Sequence, residues 1–135
     1  FCLRMIREYE QAQNANKVEF MFYHALDNIR HLAIQVAGDL KLDELAFSLK
    51  KRYKEENYKN QLEIVKSLGK IGNPKSLGFL QKVVDSENDT QLQIEAVKAI
   101  NGMGEVGRVY LEKMLNSDYK DYNIIIKHVL DNKIN

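Results

Sequence analysis

The residues most able to do chemistry in this 135-residue chain are few, and they cluster early. His24, Asp27 and His31 stand at positions i, i+3 and i+7, a spacing that on a helix puts three possible zinc ligands on one face. Phe20, Tyr23 and Ile34 fall on the same side, so both histidines are expected at the margin of a packing face, and no metal is assigned. Cys2, the one cysteine, has no histidine near it in sequence to lower its pKa, and is not assigned as a nucleophile. Glycines 69, 72 and 78, then 102, 104 and 107, have the density of a phosphate loop. They follow helical rather than strand patterns and lack Lys-Ser or Lys-Thr at the offset that such a loop requires, so they read as turn and close-packing glycines. No catalytic residue and no cofactor is expected.

A different set of side chains recurs with a fixed period. Lys51, Lys82 and Lys113 are 31 residues apart, and the surrounding text repeats with them: Phe79-Leu80-Gln81-Lys82-Val83-Val84-Asp85-Ser86 becomes Tyr110-Leu111-Glu112-Lys113-Met114-Leu115-Asn116-Ser117. A period in this range means one supersecondary unit copied along a line, each copy stacked on its neighbours to bury an apolar face. Val65-Lys66 matches Val97-Lys98 and Gly72 matches Gly104 at 32 residues, so the second copy is one residue shorter in its inter-helix turn. Leu49-Lys50-Lys51 marks an earlier, more divergent copy. Ile126-Lys127-His128-Val129 echoes Val97-Lys98-Ala99-Ile100 and marks the first half of a fourth.

The elements that must carry these residues are helices. There is one proline and no tryptophan, and apolar residues recur at helical spacing rather than alternating. A first helix is expected over Cys2–Gln13, ending at Asn14-Ala15-Asn16, and a second over Lys17–Ala37, with Val18, Met21, Phe22, Ala25, Ile29, Leu32, Ala33 and Val36 on its buried stripe. Gly38-Asp39 closes it. A third covers Asp43–Tyr53. Tyr58–Ile71 follows, stopped by Gly72, after which Asn73-Pro74 supplies a cap and a proline at the first helical position for Lys75–Asp85. Leu92, Ala96, Ala99, Ile100 and Met103 mark the next helix, Val106–Leu115 its partner, and Asp121–Leu130 the last.

This pattern resembles the HEAT-like repeats of the short bacterial type, clearly over the two central copies and more loosely across Lys17–Asn132. The resemblance implies an all-α fold: an α-solenoid of about three stacked antiparallel helix pairs with flanking N- and C-terminal helices. It also implies a role as a scaffold that binds other proteins, with the second helix of each pair lining the concave face. Deoxyhypusine hydroxylases with such repeats hold iron on His-Glu pairs; His24, His31 and His128 are followed here by Ala25, Leu32 and Val129, which excludes that branch. DNA glycosylases of the group use a strongly basic groove with aromatic residues including tryptophan, and this chain has no tryptophan and a balanced charge. A pigment lyase of the related group is not singled out by any residue.

Charge and termini complete the expectations. Twenty basic and 19 acidic residues give a net charge of +1, against a nucleic-acid or anionic-membrane binder. The expected partner is a protein or acidic peptide, met by Lys51, Lys82 and Lys113 with Lys75 and Arg108 near the starts of two second helices. Residues 1–135 read as a single domain, and Phe1 in place of methionine suggests a fragment of a longer chain. The lone cysteine gives no argument for an oxidising compartment, so a cytoplasmic location is expected, with membrane contact only through a segment ahead of Phe1. Ile124, Ile125, Ile126, Val129 and Leu130 give the last helix enough apolar surface for a homodimer contact. The alternative function is an enzyme or accessory lyase acting on a small ligand in the same groove.

Overall fold

The computed structural model describes residues 14–87, 89–115 and 123–131, and it is helical throughout these, with no strand. Helix α1 occupies residues 14–21. It is followed by α2 (Asp27–Asp39), α3 (Ala46–Arg52), α4 (Tyr58–Ile71), α5 (Leu77–Ser86), α6 (Thr90–Asn101), α7 (Glu105–Leu115) and α8 (Asn123–Leu130). Short 3-10 turns at Asp43–Leu45 and Pro74–Ser76 lead into α3 and α5, and another at Tyr53–Glu55 follows α3. Among the described residues no helix is long and apolar enough to cross a membrane. The expected first helix over Cys2–Gln13 lies outside the described residues.

The boundaries follow local chemistry. Asn57 and Asp89 cap α4 and α6 by accepting from the backbone N–H groups of Asn60 and Leu92. Gly72 and Gly104 both adopt positive φ, 73° and 77°, to turn the chain between the first and second helix within a copy. Asn73 accepts from the Lys75 N–H ahead of Pro74, as its place before a proline foretold.

One boundary differs from the expectation. The single helix expected over Lys17–Ala37 is two helices, α1 and α2, separated by a turn at residues 22–26, and Asn14-Ala15-Asn16 lies within α1. Neither glycine nor proline marks this break. Arg30 holds it instead: its guanidinium donates to the carbonyl oxygens of His24 at 2.8 Å and Ala25 at 3.3 Å, which a continuous helix would have used internally. Phe22 is thereby fully buried, while Ala25 and Leu32, expected on the inner stripe, are exposed.

Two layers result. In the first, α2 packs along α4, α4 along α6 and α6 against α8; in the second, α5 lies against α6, α3 meets α4, and α7 meets α6 and α8. Ile34, Ile64, Val65, Leu68, Leu80, Val84, Val97, Ile100, Leu111 and Ile126 form one continuous core between them, each fully buried. At roughly 25 cal/mol per Å² of apolar surface removed from water, this shared core is the main favourable term for a copy that could not fold alone. In α8, Ile126 and Val129 join that core while Ile124 stays 61% exposed.

The first layer is the tighter one. A Cβ on Gly38 would come within 2.6–2.8 Å of Ser67, and one on Gly69 within 2.7–2.8 Å of Ala99 on its backbone-side atoms. Ser67 uses this closeness to donate to the Ile34 carbonyl at 2.7 Å. Side chains rather than bare backbone separate the second helices: Tyr53 and Phe79 meet edge to face at 5.3 Å between α3 and α5, and Tyr110 of α7 donates to Gln81 of α5. The resemblance placed the second helices on the inner face of the stack. Between successive copies the closest approaches lie in the first layer, while Gly107 of α7 meets the Ile100 backbone of α6 within one copy, so successive second helices stand further apart with open grooves between them.

These contacts make the glycines separable by mutation. Gly38→Ala and Gly69→Ala are each expected to cost about 1–3 kcal/mol through forced separation of first-layer helices, despite the better helix propensity of alanine. Gly78→Ala, where an added Cβ meets nothing within 4 Å, should instead gain about 0.5 kcal/mol. Urea denaturation of the three variants checks the sign of each change.

Candidate partner-binding grooves

Three of the five cations expected at the partner surface line grooves in the second layer. Lys51 lies between α1 and α3 in a cleft of about 420 Å³ with Asn16, Glu19, Phe20, Tyr23 and Ser48. Lys82 lies between α3 and α5 in a cleft of about 660 Å³, where Lys50 and Lys54 face it across a floor of Tyr53, Phe79 and Val83. Lys113 lines a groove of about 320 Å³ with Glu105, Val106, Val109 and Tyr110, on the side of α7 from which Tyr110 reaches α5. Lys75 and Arg108 line none of these three. Lys75 sits exposed in the turn before α5, and Arg108 sits in the first turn of α7, where Glu112 lies 3.6 Å from its Nε.

Each groove combines positive charge with apolar surface. Phe20, Tyr23 and Phe47 are 78%, 59% and 66% exposed around the first, with the Lys51 ammonium 5.2 Å from the Phe47 ring centre and the Arg52 guanidinium 4.9 Å from that of Tyr23. In the second, carboxylates balance part of the charge. Tyr53 donates to Glu87 at 3.0 Å, and burial, reinforced by that bond and by the charge of Glu87, pushes the phenol's pKa above its ordinary value. Val106 and Val109 leave the third groove partly apolar, 52% and 40% exposed.

The early metal-like cluster comes apart in the fold. His24 lies in the turn before α2, so it does not share a helix face with Asp27 and His31. Its Nδ1 accepts from the Leu26 N–H at 3.0 Å; His31 Nδ1 is 3.0 Å from Asn60 Oδ1; the Asp27 carboxylate accepts from Asn57 at 3.4 Å. All three serve the turn and the α2–α4 contact.

A group that sequence reasoning missed holds the first groove's frame together. Glu56, between α3 and α4, has a fully buried carboxylate that accepts from Arg30 Nε at 2.9 Å, Arg52 at 2.9 Å and Asn60 at 3.0 Å. Burial alone would raise its pKa; the hydrogen bonds from Asn60, Arg52 and Arg30 outweigh that and hold it below the usual glutamate value. Through Arg30 it fixes the α1–α2 turn, and through Arg52 it orients the cation stacked on Tyr23. Its place within Lys54-Glu55-Glu56-Asn57 gave no such signal, because a charged stretch between helices reads as a solvated turn.

Comparison with known proteins bears on what these grooves belong to. A family model for HEAT repeats matches residues 18–101, more than half of the chain. The chain belongs to the HEAT-repeat family. It is also 28% identical over 110 residues to a deoxyhypusine hydroxylase of Aspergillus clavatus, an alignment that takes in 81% of this chain and 32% of that protein. The chain thus spans about a third of the length of this curated relative. In HEAT-repeat terms, α2–α3, α4–α5 and α6–α7 are three copies, and α8 stands where the first helix of a fourth would. None of the three histidines in this HEAT-repeat chain precedes a glutamate.

The Glu56 centre gives a pH dependence of definite sign. With its pKa depressed on folding, the unfolded chain binds the proton more readily between the two values, so stability is full above the ordinary glutamate value and is lost as pH falls through the folded one. Thermal melts from pH 6 to pH 3 should show this loss. Glu56→Gln should already be less stable by about 3 kcal/mol at pH 7, since it leaves two arginines without their anion, and should lose less further stability on acidification.

Proposed function

We propose that this chain is a non-catalytic interaction module of the HEAT-repeat family, which binds a protein or acidic peptide across the grooves of α3, α5 and α7. The observation that carries the reading is the placement of Lys51, Lys82 and Lys113, one in each of three successive grooves, beside aromatic or aliphatic side chains that are exposed in the first and third and largely buried in the second. Aromatic side chains with nearby cations are the surface chemistry that protein interfaces favour. Lys75 and Arg108 stand at the edge of this surface, and Arg108 has its charge met by Glu112.

The enzyme reading draws support from one fact, the enzymatic name of the fungal relative. It would place a small ligand in the cleft between α3 and α5. Against it, Lys54 and Lys82 of the cleft are exposed and its buried tyrosine is already engaged by Glu87, whereas a small-molecule site gathers convergent unengaged polar groups in an enclosed cavity. Repeat architecture is compatible with both functions, and the side chains of the groove favour the first.

The reading has a direct test. A Lys51→Glu, Lys82→Glu, Lys113→Glu triple variant, folded as judged by circular dichroism, should lose by at least tenfold its affinity for a partner captured and purified with the wild-type chain. Unchanged affinity in titration calorimetry would sink the groove reading.

A further inference from the structure

One apolar groove takes no part in the surface proposed above. Val18 and Met21 of α1, with Ile29, Leu32, Ala33 and Val36 of α2, line a cleft of about 250 Å³ that also touches Lys17. Leu32 is 55% exposed in it. The repeat carries the four α2 residues onto Asn60, Glu63, Ile64 and Ser67 of α4, and onto Leu92, Glu95, Ala96 and Ala99 of α6. All of these are buried. What buries them is the first-layer helix of the preceding copy: Asn60 and Ser67 bond to α2, and Ala99 lies against Gly69 of α4. The cleft is therefore a first-layer seat, and it is more apolar than its counterpart on α4, whereas the terminal face of a repeat stack is ordinarily polar. We infer that residues 1–13, which lie outside the described residues, fill this seat as the first-layer helix of a copy that α1 completes. No part of this rests on the interaction-module reading.

The occupant follows from what α1 is. Ala15, Val18 and Phe22 stand 31 residues ahead of Ala46, Leu49 and Tyr53, which stand 31 ahead of Leu77, Leu80 and Val84. All of these are buried except Val18, which is half-buried and lines the cleft. Ser48 of α3 donates to Glu19 of α1, as neighbouring second-layer helices would allow. By register and by contact, α1 is a second helix. In each described copy the second helix follows its own first helix along the chain, so the helix that belongs with α1 is encoded just ahead of Asn14.

The residues there have the right types at the right places. One step of 31 back from the buried Ala33, Ile34 and Ala37 of α2 are Cys2, Leu3 and Ile6; one step forward are the buried Ile64, Val65 and Leu68 of α4. Lys41 takes positive φ, 52°, at the inter-helix turn where the later copies have Gly72 and Gly104, and the same step back from Lys41 is Glu10. Residues 1–9 then supply about two and a half turns of helix, enough to cover the stretch Ile29–Val36, and residues 10–13 supply the turn into α1. Covering Leu32 and Val18 removes apolar surface from water and holds α1, with Phe20 and Tyr23, to the rest of the stack.

Cys2 reports on the seat in the full chain, because it is the one cysteine and stands at a core position of the repeat. Its thiol should react with a chromogenic aromatic disulfide about tenfold or more slower in the native chain than in urea. Leu32→Asp, which would be harmless on an uncovered face, should raise the native rate about fivefold or more and lower Tm by about 4 °C. Ile124→Asp, at an exposed position on α8, should leave the rate unchanged, and Leu32→Ser serves as the milder variant if circular dichroism shows Leu32→Asp to lose helicity. A native rate equal to that in urea, or a slow rate that neither Leu32 variant changes, overturns the inference. Protection that disappears on dilution means that a second copy covers the groove, and overturns it equally.

Discussion

The close approach of the first-layer helices is the constraint on which the rest of this structure depends. Gly38 against Ser67 and Gly69 against Ala99 let α2, α4 and α6 meet nearly backbone to backbone. Because the layers are unequal in spacing, the second helices are left with side chains between them and open grooves beside those side chains. The Ser67 hydroxyl shows how the contact is made self-consistent: it fills the space that a larger residue at position 38 would need and returns a hydrogen bond to Ile34. The same closeness makes bonds between copies possible at nearly the repeat spacing, including Lys70 to Asp39, Asn73 to Asp43 and Tyr58 to Asp89. These exposed links contribute little each, and mainly fix how one copy is set upon the next.

A second constraint closes the N-terminal part of the described stack. Repetition alone would give α1 and α2 no reason to separate where they do. The buried Glu56 carboxylate supplies one by holding Arg30 against the carbonyls of His24 and Ala25. Three charged groups in a partly buried site cost solvation, which their mutual pairing and the Asn60 bond offset. The consequence reaches the candidate surface. With the turn fixed, Phe20 and Tyr23 project beside Phe47 and Lys51 rather than continuing along one helix. An electrostatic centre inside the fold therefore shapes an aromatic patch outside it.

Much of this was legible in the chain. The repeat echo around Lys82 and Lys113, the glycine pair Gly72 and Gly104, and the Asn73-Pro74 start of a second helix each encode their structure locally, through period, positive φ or capping. The helix Tyr58–Ile71 has the bounds its pattern implied. What could not be read was stored in distant pairings. The α1–α2 break depends on an arginine and a glutamate 26 residues apart, and no local residue at 22–26 announces it. The stripe that included Ala25 and Leu32 obeyed helical periodicity and failed because the helix did not continue. The lysine ladder was visible as a period, but the grooves it lines depend on the different spacing of the two layers. That spacing comes from small residues on α2, α4 and α6, which appear in the sequence as ordinary helix content.

On the proposed function, the second-layer face, rather than the first, receives a partner. Backbone amide chemical shifts of the isotopically labelled chain, followed by NMR while a glutamate-containing peptide is added, test this most directly. The account predicts perturbations concentrated in α3, α5 and α7, at and around Lys51, Lys82 and Lys113, with α2, α4 and α6 little changed. Perturbations concentrated instead on the first-layer cleft around Lys66, Lys70 and Lys98 would contradict it.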